Sequence, residues 1–543
     1  MTAGTVAARH AAPARPSPRI AITRFAIRQV RRGTVIVFAV CAGMSFLVAA
    51  QYKSTFQAEM SPETLRVLAE NPAIRVLFGT PLALDDPGGF TVWRTGTPLL
   101  VVAGVWIMLA AVRITRGEED AGHWDLLLAG ALRVSDALRS CFLTLAGSAL
   151  VISVGVLGAM LAAGARPVGA TLYAAGFLGV TLTFAAAGFV AGQLMPNRPV
   201  AVGAAVGFLG AALLVRMISD TSTAFAGLAW ISPFGLLARI APFADNRIAP
   251  LAALACYPVA LGATAMAIAP SRDVGSGMVT VSDSRAPRTR LLGSIVGFAV
   301  RRSLRSTLGW AAAILTYFVV IGATIASILE FFEQNPRFAE LAAAAGFAGL
   351  SSAEGFAAAL FALCAIATGM YAATRLAAFM ADEQARRSTL LFASPVSRVG
   401  LLSAEVAVLV FGVLVLHVAA AAGITVGAAA TGAPLAFSDA LAGALNTAPI
   451  AALALGAALL ATGWSPSAVA AIGAVPVVGG FLLDVVTESM HAPGWLQEAS
   501  PFAHVRPVPL VAPGWTALGV LLTIAVVLAA AGMAGYRRRD LTS

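Results

Sequence analysis

The chain has 543 residues, 59% of them hydrophobic and only 11% charged, with a mean hydropathy of +0.85 and a formal charge of +10. Soluble globular domains carry roughly 25% charged residues, so this composition excludes them and requires a bilayer. Arginine supplies almost all of the positive balance, Lys53 being the only lysine, and it stands beside apolar runs instead of among aromatics in polar stretches. That pattern excludes nucleic-acid binding.

In chain order, seven arginines and no acid lie between Arg9 and Arg32, ahead of an apolar run that starts at Thr34. The run is long enough to span and lacks a small-residue cleavage site, so it predicts a retained first helix behind a cytoplasmic N-terminus. A spanning helix needs about 20 apolar residues. That length places spans over 34–51, 96–112, 141–164, 169–194, 199–218 and 249–269. A second set covers 308–329, 355–379, 400–424, 437–462, 467–486 and 513–535. The fold class is therefore an all-α polytopic membrane protein with about twelve transmembrane helices. Between the sets lies a polar stretch with Gly275, Ser276, Gly277, Ser282, Asp283 and Ser284, then Arg285, Arg288 and Arg290, the composition of a flexible cytoplasmic linker. The expected divisions are 1–33 as an arginine-rich N-terminus, 34–270 and 298–543 as six-helix halves, and 271–297 as the linker.

The halves repeat in register. Phe25-Ala26-Ile27-Arg28 with Arg32 returns as Phe298-Ala299-Val300-Arg301 with Arg305. Glu119, Ala121, Leu126-Leu127 and Ala129 return as Glu383, Ala385, Leu390-Leu391 and Ala393. Ser232-Pro233-Phe234 returns as Ser500-Pro501-Phe502, and Arg272-Asp273 as Arg539-Asp540. A common register along an alanine-rich chain predicts a parallel duplication. Six spans per half give both halves one orientation. The arginines of the linker and of Arg537-Arg538-Arg539, against the acids Glu330, Glu333, Glu340 and Glu354 of an opposite loop, place both termini in the cytoplasm.

Chemistry is sparse. No two of His10, His123, His417, His491 and His504 make a zinc-protease spacing, and Lys53 has no glycine-rich phosphate loop, so any ATP must be bound elsewhere. Cys41, Cys141, Cys256 and Cys364 have no metal-ligand spacing and are expected as free thiols. Charges near span ends, Arg216, Arg375, Glu405, Asp439 and Asp484, are explained by snorkelling or by spans that end earlier than drawn. His417 lies deepest, either packed and bonded to a helix carbonyl or touching a substrate or proton.

The most informative polar segment follows the second span: Arg113, Arg116, Glu118-Glu119-Asp120, His123-Trp124-Asp125-Leu126-Leu127-Leu128, then Arg133. Its counterpart is Arg375, Asp382-Glu383, Arg386-Arg387, Leu390-Leu391-Phe392, then Arg398. Acids leading and arginines trailing suit a short helix, either a capped hairpin or an apolar edge rimmed by charge for a partner's groove. The arginine stretches ahead of each half suit a helix lying on the inner membrane surface, or plain positive-inside flanking. The Ser-Pro-Phe segments predict short capped helices on the outer side. Gly203 and Gly207, with Gly473, Gly479 and Gly480, predict close helix approach in the fifth and eleventh spans.

On these motifs the chain resembles the type-two permeases of ABC transporters, and within them the fused polyketide antibiotic (tetronasin-like) exporter branch of actinobacteria. The resemblance implies a cytoplasmic ATPase partner in two copies, which binds ATP and Mg, with no cofactor or metal in this chain. It implies coupling to that ATPase through Glu118, Glu119, Asp120, Asp125, Leu126 and Leu127 and through Asp382, Glu383, Arg386, Leu390 and Leu391. Arg28, Arg32, Arg301 and Arg305 would lie on connecting helices. It implies export of small hydrophobic or amphipathic compounds, antibiotics or drugs, from the plasma membrane by alternating access. Phe38, Met44, Phe208, Tyr317 and His417 are the residues expected along the pathway, with helix packing as the competing account. The alternative is an ion-coupled secondary transporter of the major-facilitator type, which also has twelve spans in parallel halves.

Overall fold

A computed structural model describes residues 18–52, 75, 79–130, 132–221, 223–279, 289, 291–334, 336, 348–384, 395–489 and 493–539. It is helical, with twelve helices long and apolar enough to cross a bilayer. We number them α1 (Pro18–Gln51), α2 (Pro87–Asp120), α3 (Val134–Ala162), α4 (Pro167–Leu194), α5 (Arg198–Thr221) and α6 (Ala249–Ile268). The rest are α7 (Ile295–Gly322), α8 (Ala353–Gln384), α9 (Arg398–Ala430), α10 (Phe437–Trp464), α11 (Pro466–Asp484) and α12 (Trp515–Arg538). The chain separates into two compact units, with α1 to α6 in one and α7 to α12 in the other.

Hydrocarbon offers no hydrogen bonds, so backbone polar groups must be satisfied within each helix. Hydroxyls inside the spans obey the same demand by bonding back one turn: Thr95 to Thr91 O at 2.8 Å, Thr144 to Ser140 O at 2.8 Å, Thr368 to Cys364 O at 2.8 Å. Helix starts are also capped. Asp86 accepts from the Gly88 and Gly89 amides ahead of Pro87, and its second oxygen takes the Arg166 Nε at 2.9 Å, which joins the starts of α2 and α4.

In the first unit the fourth helix is the hub. α4 packs against α2, α3, α5 and α6, while α1 runs along α3. In the second unit α10 packs against α8, α9, α11 and α12, while α7 runs along α9. The hubs are the most enclosed spans, 72% and 78% buried, against 17% for α6 and 22% for α12.

Three expectations are corrected. Of the two readings of the arginine stretches, the separate surface helix is the one corrected: Arg24 to Arg32 lie within the N-terminal half of α1 and Arg301 to Arg305 within that of α7. No proline interrupts either sequence, and arginine is a good helix former, so the span helix continues through them. Close approach is likewise absent at the fifth span: within 4 Å of where a Cβ would stand at Gly203, Gly207 or Gly210 there is no atom among the described residues. The close crossing lies instead at Gly423 and Gly427 of α9, where a Cβ would come within 2.6 Å of Leu315 O and 2.2 Å of Val319 O on α7. In the eleventh span the expectation holds for Gly473, tight against Ala373 and Ala458, and for Gly480, tight against Pro501. Finally, the acidic triplet does not open a short helix. Glu118–Asp120 ends α2 after a π turn at Arg113–Gly117, Gly122 then turns the chain at φ 74°, and only His123–Leu128 is the short helix.

Candidate functional site

Carboxylates at the C-terminal end of a helix oppose its dipole, so Glu118, Glu119 and Asp120 need cations or donors close by. Each has them. Glu119 is 1% exposed at its side chain and accepts a bidentate pair from Arg272, Nη1 to Oε1 at 2.6 Å and Nη2 to Oε2 at 2.8 Å. Arg116 Nη1 adds a contact at 3.3 Å and the Gly275 amide one at 2.8 Å. Arg272 also donates from Nε and Nη2 to Gln193 Oε1, at 2.9 and 2.8 Å, so an arginine a short turn beyond α6 binds the end of α2 and the end of the hub α4 together. Arg116, fully buried, pairs with Asp120 Oδ1 at 2.9 Å and donates to Ser276 O at 2.7 Å. Asp120 in turn accepts the Arg198 amide at 2.7 Å, where α5 begins. Glu118 accepts from Gln29 Nε2 of α1 at 2.9 Å and meets His123 Nδ1 at 2.7 Å.

The short helix hangs from this base by its tryptophan. Trp124 is 3% exposed and shares with Leu127 a cleft lined by Ile22, Phe25, Ala26, Ile114, Ala137 and Cys141. Leu126 faces away, 79% exposed, with His123 and Asp125 exposed beside it. The outward surface is therefore His123, Asp125 and Leu126. Of the acids expected to form it, Glu119 is buried and Glu118 and Asp120 are held by the joint, while Asp125 stays outside.

The second unit builds the same joint from other neighbours. Glu383, at the end of α8, pairs with Arg539, which follows α12, accepts the Tyr536 hydroxyl, and has Arg398 Nη2 at 4.0 Å. Arg539 Nη1 donates to Thr462 O at 3.0 Å, at the end of the hub α10. Arg398 and Arg539 both lie over the Tyr536 ring, 5.3 Å from its centroid. Asp382 meets Arg302 of α7 at 3.3 Å, and Arg302 also reaches Glu405 at 3.0 Å, with Arg375 at 3.6 Å. The charges expected to snorkel are thus partly a buried ion cluster. Arg216 too is buried and pairs with Asp220 at 2.8 Å. Arg386, Leu390 and Leu391 lie outside the described residues.

Arg28, Arg32, Arg301 and Arg305 are exposed in the N-terminal halves of α1 and α7. The residues expected along a pathway are engaged in packing. The ring of Phe38 lies where a side chain on Gly155 would stand, Met44 packs on the core, Phe208 meets Phe184 edge-on at 6.0 Å, and Tyr317 meets Phe318 at 5.5 Å. His417 is fully buried with Nδ1 2.8 Å from Val413 O of its own helix, and its Nε2 has no partner among the described residues.

Sequence reasoning named Arg116 and Arg398 beside the acids and Arg272 and Arg539 as a recurring pair without joining them to the glutamates, and it missed Gln193 and Tyr536. The recurrence of Arg272-Asp273 as Arg539-Asp540 was the available signal, since it places one arginine after each sixth span in step with each acidic pair. The Ser-Pro-Phe segments also match in detail. Ser232 Oγ donates to Ala212 O at 2.7 Å and Ser500 Oγ to Gly480 O at 3.1 Å, each reaching 20 residues back, and each caps the turn that follows it.

Comparison with known proteins adds two similarities. Residues 292–537 match the family described as the C-terminal domain of the multidrug efflux system permease Rv1217c. The multidrug efflux system permease protein Rv1217c of Mycobacterium tuberculosis is 26% identical over 480 residues, 87% of this chain and 85% of that protein.

Proposed function

We propose that this chain is the membrane-spanning subunit of an ABC exporter for hydrophobic or amphipathic compounds, powered by a separate ATPase. The observation that carries the reading is the similarity to a multidrug efflux permease along 87% of the chain. The twelve apolar helices agree with a multi-pass transport permease. In this reading the chain falls in the tetronasin-like polyketide exporter branch, and the duplication that this entails is supported by the matched joints, Glu119 with Arg272 and Glu383 with Arg539, and by the matched serine ties.

In this reading the arginine-flanked helix ends, the linker and both termini face the cytoplasm. The ATPase, in two copies, binds ATP and Mg and grips one short segment in each unit. Trp124 anchors the first of these, and Leu126, rimmed by His123 and Asp125, offers an apolar point within a polar edge, the form in which a helix enters a groove. Rocking of the spans by alternating access then exposes an apolar path outward.

The test is reconstitution. The full chain co-purified with its ATPase is placed in proteoliposomes and efflux of the amphipathic dye ethidium is followed. Transport that requires ATP and both subunits is expected. Transport by the chain alone under a proton or sodium gradient would overturn the reading in favour of a secondary transporter.

A further inference from the structure

The buried pairs Glu119–Arg272 and Glu383–Arg539 occupy the same place in each unit. In both, a glutamate at the end of the second helix meets an arginine just past the sixth, and that arginine also binds the end of the hub helix, at Gln193 Oε1 in one unit and Thr462 O in the other. Everything else around the two pairs differs. Arg116 and the Gly275 amide support the first, Tyr536 and Arg398 the second. A buried ion pair is rarely more stabilising than apolar side chains of the same volume. Its recurrence within one chain, on different surroundings, is better explained by what it joins than by the stability it adds.

What it joins is specific. Glu119 stands three residues before Gly122, the left-handed turn that launches the short helix His123–Leu128. Arg272 binds α2 through the carboxylate and α4 through the carboxamide with one planar guanidinium, whose fixed fork resists bending. A displacement of the short helix is thus passed to the ends of α2, α4 and α6 at once.

We propose that Arg272 and Arg539 are positioning residues that fix the coupling segments, each clasping its segment to the hub helix and the last helix of its unit. The role in coupling rests on the exporter reading, whereas the clasp itself can be tested without it.

The variants are Arg272→Lys and Arg539→Lys, which keep the charge and lose the fork. Amide hydrogen exchange of the full chain in detergent, without ATPase, reads the clasp. The expected result for Arg272→Lys is at least tenfold faster exchange over 118–128, with the cores of α2, α4 and α6 within twofold of wild type. With the co-purified ATPase in proteoliposomes, ethidium moved per ATP hydrolysed should fall at least fivefold in either variant while the subunits still co-purify. Unchanged exchange over 118–128 overturns the proposal, and so does a uniform rise across all three helices, which marks a purely structural pair. Failure of both variants to accumulate in the membrane overturns it as well, because a positioning role leaves insertion to the apolar spans. If wild type shows no ATP-driven ethidium transport, the exporter reading fails, and the exchange result still decides whether the clasp exists.

Discussion

Glu119 and Leu126 lie seven residues apart and show how burial separates two roles that composition assigns to one surface. Glu119 is enclosed by Arg272, Arg116 and a backbone amide, and a carboxylate so placed cannot also meet a partner. Breaking a buried pair on one side costs about 3–5 kcal/mol, so charge reversal at Glu119 damages folding before it reports on docking. Leu126 is 79% exposed, and surface substitutions generally change stability by less than about 0.5 kcal/mol. Leu126→Asp is therefore expected to leave the melting temperature of the purified chain within about 2 °C of wild type and to weaken co-purification of the ATPase at least tenfold. Unaltered capture of the ATPase would remove this residue from the docking surface. Trp124, separated from it by Asp125, is buried and forms the anchor, a distinction that the apolar character of both residues does not contain.

Glycines report on helix packing only where a neighbour is close. The Gly203-x-x-x-Gly207 spacing of α5 predicts a tight crossing, and the structure leaves both positions without neighbours among the described residues, while the same spacing at Gly423 and Gly427 brings α9 against the α7 backbone. The motif permits such an approach without ensuring it, since the face that carries it must also be turned toward a partner. Gly427→Ala places a methyl group 2.2 Å from Val319 O and should lower the melting temperature in detergent by several degrees. Gly207→Ala meets no atom within 4 Å and, by removing a flexible residue from a helix, should leave melting unchanged or raise it slightly. Equal melting of the two variants would contradict the α7 to α9 seam. The helix ends tell a similar story. The twelve spans were legible from apolar length, but their true starts and stops were set by Asp86, Ser294 and Ser397 as caps and by Gly122 as a break.

For the whole molecule, each unit collects its contacts around its own fourth helix, and the chain passes from α6 of the first unit to α7 of the second within the polar stretch between the two sets of spans. Each unit carries its own joint between the acidic end of its second helix and the arginine after its sixth. Fragments 1–284 and 285–543, co-expressed as separate chains, are accordingly expected to accumulate in the membrane and to restore a substantial part of ethidium efflux. Degradation of both fragments would show that the continuous chain is needed for either unit to fold.

Taken alone, the sequence determined the solvent and the element count, because a chain with 11% charged residues and twelve apolar stretches of spanning length has no stable state outside a bilayer. It also marked the acidic segments and the closing arginines as separate recurring motifs. Only the tertiary structure decided that these motifs are one object. Glu119 and Arg272 are 153 residues apart, and Glu383 and Arg539 are 156, and hydropathy and periodicity describe neighbours along a helix, not which helix ends share a plane once the spans have packed around a hub. The same packing turned Glu119 and Glu383 inward and left Leu126 outside: a helix end whose dipole opposes its acids draws them toward buried cations, and beyond the left-handed turn at Gly122 the next helix exposes Leu126.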